Sequence, residues 1–283
     1  MEIKQVGIIG CGTMGSGIVQ VCAQSGYPVI VSDINETVLN QGLKLISANL
    51  DKSVGKGKLT PENKRLIAGR IKGTNTLLDL QGCDLVIEAA VENLELKKRL
   101  FGELDNICRP QTILATNTSC LSITDIAVST RSPERIIGMH FFNPAPLMLL
   151  VEIVRTLIAN AAILDQAKAF VQSLGKTVVL AQDSPGFIVN RLLTPYILDA
   201  IRLLETNSAT RDDIDNSIKL GLNHPLGPLA TADLIGLDVL YFIAKAIYEE
   251  LREPQYIPPL LLKKMVAAGW IGRKSKKGFY EYT

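Results

Sequence analysis

The chain has 283 residues and only two histidines, His140 and His224, so few of its side chains change charge near neutral pH. His140 closes an apolar, β-branched run, Arg135–Phe141, that reads as a strand. After it come Phe142, Asn143 and a proline-stiffened turn through Pro146, then a second strand, Leu149–Ile153, carrying Glu152. A hairpin of that length returns Glu152 to the side of His140. A carboxylate there accepts the Nδ1–H, fixes the tautomer and stabilises the imidazolium, which is general acid–base chemistry. An isolated histidine in an apolar strand also reads as a core residue, and the residues alone leave both open. His224, in Asn-His-Pro-Leu-Gly-Pro, reads as a structural loop residue.

A second constellation opens the chain. The apolar run Gln5–Ile9 leads into Gly10-Cys-Gly12-Thr13-Met14-Gly15 and then a helical pattern, Met14–Ser25. In this spacing Gly10 permits a tight turn, Gly12 lets a pyrophosphate approach the backbone, and Gly15 lets helix and strand pack closely. The helix N-terminus then offers its N–H groups to the anion. Asp33 ends the next strand, eighteen residues after Gly15, where a carboxylate accepts from a ribose diol and repels a 2′-phosphate. These residues therefore predict NAD as the cofactor. Their plainer reading is turn glycines, with Asp33 as the cap of a helix over 35–39.

The elements that must position these groups follow from hydrophobic periodicity. Strands are predicted at Gln5–Ile9, Pro28–Ser32, Leu85–Glu88, Thr112–Ala115, Arg135–Phe141, Leu149–Ile153 and Thr177–Leu180, with helices between them such as Leu94–Ile107 and Leu164–Leu174. That alternation indicates an α/β fold, a doubly wound, Rossmann-type and mostly parallel sheet covered on both faces. A helical pair interrupts the rhythm after the second strand: Glu36–Ser53, then a helix opened by Thr60 as cap and Pro61 at its first position. Near Asp183-Ser-Pro-Gly186 the strand signal ends, and helices are predicted at Phe187–Glu205, Arg211–Leu220, Asp233–Leu251 and Pro259–Ala268. The boundary divides the chain into a nucleotide-binding domain, 1–184, and an all-helical C-terminal domain, 185–283. The basic tail after Trp270 reads as a solvated segment pinned by its aromatic residues.

Composition narrows the partners. Hydrophobic content of 47% with 20% charged residues is that of a well-cored protein, and a net charge of +2 argues against nucleic acid. No apolar run is long enough for a bilayer, no leader pattern is visible, and membrane association is not expected. Five scattered cysteines without a CxxC pair predict reduced thiols, a cytoplasmic setting and no metal site. One region is locally basic: the inserted helical pair carries Lys44, Lys52, Lys56, Lys58, Lys64, Arg65, Arg70 and Lys72 against Asp51 and Glu62. It is either an ordinary solvated face or a cradle for an anionic tail.

Taken together, Gly10–Gly15, Val86-Ile-Glu-Ala-Ala-Val-Glu-Asn93, Asn117-Thr-Ser119, His140-Phe-Phe-Asn-Pro-Ala-Pro146, Pro185-Gly-Phe-Ile-Val-Asn-Arg191, Asn223–Pro228 and Lys277–Tyr280 resemble the 3-hydroxyacyl-CoA dehydrogenase family in order and spacing, over essentially the whole chain. The resemblance implies an NAD-dependent oxidoreductase that interconverts (S)-3-hydroxyacyl-CoA and 3-ketoacyl-CoA thioesters, of the short-chain, 3-hydroxybutyryl type. It implies His140 as the acid/base, Glu152 as the carboxylate that orients it, Ser119 between substrate and nicotinamide, and Asn190 aligning the substrate from the second domain. Glu92, Lys97, Asn117 and Asn143 would line the cofactor, while Asn49, Lys52 and Lys56 would meet coenzyme A. A homodimer through the helical domain is implied as well, with Leu234–Leu251 compatible with that surface. Departures at Leu149, Cys120 and Ala230 bear on acyl length and rate.

Two other readings share parts of this pattern. A dehydrogenase of free β-hydroxy acids would need a cation for the carboxylate and typically a catalytic lysine, where this chain has Asn190. A protein that only senses NADH would need no His140–Glu152 pair.

Overall fold

Short β-branched runs build the framework of the first half of the chain in this computed structural model, which describes residues 2–283. The strands are β1 (Val6–Ile9), β2 (Val29–Ser32), β3 (Ile71–Thr74), β4 (Leu85–Glu88), β5 (Ile113–Thr116), β6 (Ile136–Phe141), β7 (Leu150–Arg155) and β8 (Thr177–Gln182). They form one sheet in the order β3-β2-β1-β4-β5-β6-β7-β8. All neighbours are parallel except β6 and β7, which pair antiparallel. The direction of winding reverses between β1 and β4, and such a switch point opens a crevice at the carboxyl ends of the strands. Strands β1, β2, β4, β5 and β6 are buried along their whole length, which explains why their sequences are mostly apolar rather than alternating, with polar residues such as Ser32, Glu88, Thr116 and His140 near their carboxyl ends.

Strand β3 was not expected, because Ile71-Lys-Gly-Thr74 carries a lysine and a glycine. As an edge strand it needs only one hydrogen-bonded neighbour, and none of its side chains is fully buried. The helices of this unit are α1 (Thr13–Gln24), α2 (Glu36–Gly55), α3 (Pro61–Gly69), α4 (Leu94–Ile107), α5 (Ile123–Ala127) and α6 (Ala161–Ser173). Helix α3 starts as read from the sequence, with Pro61 in its first turn and the Thr60 hydroxyl accepting from the Asn63 N–H at 3.1 Å. The core joins Ile8, Val31, Leu85, Ile87 and Ile137 of the sheet to Ile18 and Val19 of α1.

A contact boundary falls after Asp183, and Ser184–Thr283 forms a second unit. It contains α7 (Val189–Glu205), α8 (Arg211–Gly221), α9 (Pro228–Ile235), α10 (Leu237–Leu251) and α11 (Leu260–Ala267). Helix α7 begins two residues later than predicted, because Gly186 (φ 75°) and Phe187 (φ 47°) adopt left-handed backbone that no α-helix accommodates. The single helix predicted over Asp233–Leu251 is two helices, broken at Gly236 with φ 103°. Buried Asp233 takes the Phe279 and Tyr280 N–H groups, each at 2.9 Å, and the Tyr282 hydroxyl at 2.9 Å. The tail is thus held through its backbone as well as by its aromatic rings.

Candidate active site

At Gly10 the backbone has φ 90°, and an added Cβ would lie 2.6 Å from the Ala89 carbonyl oxygen. At Gly15 a Cβ would lie 1.8 Å from the Gly10 carbonyl oxygen, so helix, loop and strand cannot pack this closely with any side chain there. At Gly12 a Cβ would meet nothing within 4 Å, so this stretch of the loop faces open space. Gly12 caps α1 without a side-chain hydrogen bond, and no acidic residue stands in the first turn. The positive end of the α1 dipole and its leading N–H groups therefore lack a side-chain acceptor, next to exposed Thr13 and half-buried Met14. An anion fits that site.

Asp33, partly exposed at the end of β2, accepts the Cys11 N–H through Oδ2 and the Asn35 N–H through Oδ1, both at 2.9 Å. The cap of α2 is Asn35, whose Oδ1 accepts from Thr37 and Val38, and not Asp33. An ionised carboxylate offers about four acceptor positions, so Asp33 can brace the glycine loop and still receive hydroxyl groups. These residues fit an NAD-type dinucleotide.

Beyond β4 and β5 lies a buried polar network. Lys97 places its ammonium, 1% exposed, 2.5 Å from Glu88 and 3.3 Å from Glu92. Glu92 Oε1 accepts the Ser119 N–H at 3.0 Å and the Thr118 hydroxyl. Asn117, also buried, receives the Phe141 N–H on Oδ1 at 2.8 Å and so joins the Ser119 segment to the strand that carries His140. Lys97, expected to line the cofactor, has its ammonium enclosed between these two carboxylates. Glu88, Thr116 and Thr118 were not singled out from the sequence. Their only signal was a glutamate at the end of an otherwise apolar strand, where an unpaired charge would be too costly to bury.

Strands β6 and β7 bring His140 directly opposite Glu152 in register. Nδ1 lies 2.7 Å from Glu152 Oε2, with the two residues 4% and 0% exposed. The Phe142 ring packs on the imidazole at 4.5 Å between centroids. Asn143, on the turn that follows, is exposed, and so is Leu149 at the far end of the turn. Cys120 and Cys11 border these groups but are inert as thiols. Burial and then the Glu92 charge push Cys120 up to about 12, and burial and then Asp33 push Cys11 up to about 11.

On α2, Asn49 is half-buried and donates to Gln20 Oε1 at 3.3 Å, while Lys52 and Lys56 are exposed at its C-terminal end. Much of the remaining basic cluster is committed locally. Lys64 pairs with Asp51 at 2.5 Å, Lys72 with Asp79 at 3.4 Å, and Arg70 donates to the Ala23 carbonyl at 3.1 Å. In the second unit, Asn190 stands in the first turn of α7, half-buried. His224 lies edge-on to Tyr196, 6.3 Å between centroids, and the two rings help line an apolar cavity of about 590 Å³ with Leu192, Leu193, Pro225 and Leu226. Among the described residues no helix is long and apolar enough to cross a membrane, and no group of His, Cys, Asp and Glu could hold a metal ion.

Comparison with known proteins gives a consistent picture. Residues 5–184 match the family described as "3-hydroxyacyl-CoA dehydrogenase, NAD binding domain", and residues 186–282 match its C-terminal domain. The 3-hydroxybutyryl-CoA dehydrogenase of Bradyrhizobium diazoefficiens is 45% identical over 280 residues, covering 99% of this chain and 96% of the relative. Among solved structures, Mycobacterium tuberculosis FadB2 superposes with a TM-score of 0.98 at 44% identity, covering 100% of both chains. The (S)-3-hydroxybutyryl-CoA dehydrogenase PaaH1 of Ralstonia eutropha superposes with a TM-score of 0.95 at 43% identity, again covering 100% of both chains.

Proposed function

This chain belongs to the 3-hydroxyacyl-CoA dehydrogenase family, and from that premise we propose that it interconverts (S)-3-hydroxybutyryl-CoA and acetoacetyl-CoA, using NAD and a proton shuttle made by His140 and Glu152. The observation that carries the reading is the buried 2.7 Å contact between His140 Nδ1 and Glu152 Oε2. An ionised carboxylate can only accept, so Glu152 holds the hydrogen on Nδ1. Nε2 is then the nitrogen that takes the proton from the substrate's C3 hydroxyl in the oxidative direction and returns it in the reductive one. As positive charge develops on the ring, Glu152 offsets it in surroundings from which water is excluded. Ser119 hydrogen-bonds the reacting oxygen, and Asn190 aligns the acyl chain from the helical unit. When bound, NAD supplies the site that accepts or donates hydride.

The nucleotide would be held by Gly10, Gly12, Thr13, Met14 and Gly15 at its phosphates and by Asp33 at a ribose, with Glu92, Asn117 and Asn143 nearer the reacting end. Coenzyme A would lie along Asn49, Lys52 and Lys56, and the positive charges of the two lysines suit its phosphates. The five cysteines, all free and buried, fit a reducing cytoplasm. Exposed Leu220, Leu222, Leu234 and Trp270 on the helical unit suit a homodimer through that unit, which light scattering would reveal as twice the chain mass.

Steady-state turnover of acetoacetyl-CoA with NADH, against acetoacetate with NADH, tests the reading. Turnover confined to the thioester is the expected result. Equal or faster reduction of the free acid would overturn the substrate assignment. NADH binding without turnover of either would leave a sensor and no enzyme.

A further inference from the structure

The segment that carries Ser119 has no regular structure to hold it. It runs from the end of β5 at Thr116 to α5, which begins at Ile123. Asn117 ties its start to the backbone of β4 and β6, and the Ser119 N–H is held by a chain of charges that begins at Glu88, the last residue of β4. Glu88 is 0% exposed. Its Oε1 accepts the Lys97 ammonium at 2.5 Å and the Ala90 N–H at 2.7 Å, and its Oε2 accepts the Thr116 hydroxyl at 2.7 Å. Lys97 reaches Glu92 at 3.3 Å, and Glu92 in turn receives the Ser119 N–H at 3.0 Å.

The three charges are not equivalent. Glu88 is held on a central strand by donors other than Lys97, so it cannot follow the cation. Glu92 sits on the connection between β4 and α4, with 26% of its side chain exposed; its other donors, the Thr118 hydroxyl and the Ser119 N–H, belong to the tethered segment itself and not to the sheet, so it is the partner that shifts more readily. Glu88 therefore sets where Lys97 rests, and Lys97 sets where Glu92 rests. Without the Glu88 charge, a buried ammonium would have one carboxylate left and would draw it closer, pulling Oε1 off the Ser119 N–H. We infer that Glu88 is a positioning residue for Ser119, acting through Lys97 and Glu92 without touching substrate or cofactor. Only the kinetic consequence rests on the role assigned to Ser119 above; the tether itself does not.

Glu88→Gln isolates the charge, since an amide can still accept from Ala90 and donate to the Thr116 oxygen. The double variant Glu88→Gln/Lys97→Met removes the cation that the single change leaves underpaired, and so keeps the test open if the single variant does not fold. Hydrogen exchange by mass spectrometry on the full chain is read for residues 117–121 and, as reference, for β1. Exchange of 117–121 should rise by about tenfold or more in either variant while β1 is unchanged. The kcat for acetoacetyl-CoA should fall roughly 10–10²-fold, the scale of a misplaced contact, but by less than about twofold in a Ser119→Ala background. An equal rise in both peptides would assign Glu88 to general stability and overturn the inference, and so would no rise at all. An equal kcat loss in both backgrounds would show that Glu88 acts by another route, which also overturns it. If 117–121 loosens but Ser119→Ala alone keeps full kcat, the tether stands and the proposed role of Ser119 falls.

Discussion

Replacing Glu152 by Gln removes a charge while conserving volume, and the expected loss can be worked from the contact it breaks. The His140–Glu152 pair is 2.7 Å apart and nearly sealed from solvent, so bulk water does little to screen it. A hydrogen bond to a charged group contributes about 1.5–3 kcal/mol, against about 1 kcal/mol for a neutral one. If that difference, about 0.5–2 kcal/mol, is realised as the imidazolium forms, kcat falls by about 2–30-fold. Should the new amide turn its nitrogen toward the ring, it would impose the wrong tautomer, and the loss would approach about 10⁴-fold. The assay is stopped-flow or steady-state reduction of acetoacetyl-CoA by NADH, with NADH affinity measured separately by fluorescence. His140→Gln should lower kcat by about 10²–10⁴ with NADH binding intact. In that background Glu152→Gln should cost almost nothing more, because a partner that acts only through the imidazole has nothing left to act on. Full multiplication of the two losses would refute the pairing. A Glu152→Gln variant with kcat within twofold of the parent would refute the electrostatic argument.

Other perturbations test separate parts of the reading. Asp33→Ala should weaken NADH binding and narrow the preference over NADPH, while Asp33→Asn, which can still accept from Cys11, should narrow it with less loss of affinity. An unchanged NADH/NADPH ratio of kcat/KM in both variants would show that Asp33 only braces the loop. Lys52→Ala combined with Lys56→Ala should raise KM for acetoacetyl-CoA roughly 5–30-fold, taking about 0.5–1 kcal/mol per exposed contact. A truncated thioester lacking the nucleotide should be spared, and equal losses would assign the lysines to the fold. Asp105 bears on acid stability. Against the burial that opposes its charge, Arg135 at 2.7 Å and Arg131 at 3.2 Å hold its carboxyl below the usual range. A depressed folded-state value stabilises the protein fully above the ordinary carboxylate range, about 3.9, and less as pH falls further. The stability gap between parent and Asp105→Asn, from denaturant titrations, should therefore be full at pH 7 and shrink toward pH 3. A gap that stays constant would contradict the pairing.

What the sequence determines by itself is what depends on neighbours along the chain. The glycine spacing, the strand before it and Asp33 after it form one βαβ unit, so local turn sterics and burial suffice to read them. The nearness of His140 and Glu152 was legible for the same reason, since twelve residues and a proline-stiffened turn suit a hairpin, but the register that sets them opposite each other is seen only in the folded sheet. Tertiary structure alone decided the rest. Lys97 lies in an amphipathic helix where a lysine reads as solvated, and only the packing of α4 against the sheet encloses it between Glu88 and Glu92. Strand β3 exists because β2 offers it an edge, and its own Lys72 and Gly73 argue against it. The pinning of Phe279, Tyr280 and Tyr282 on Asp233 joins residues more than forty positions apart. Local propensity carries no information about such pairs. A buried charge is tolerated only where its counter-charge arrives, and that arrival is a property of the folded chain.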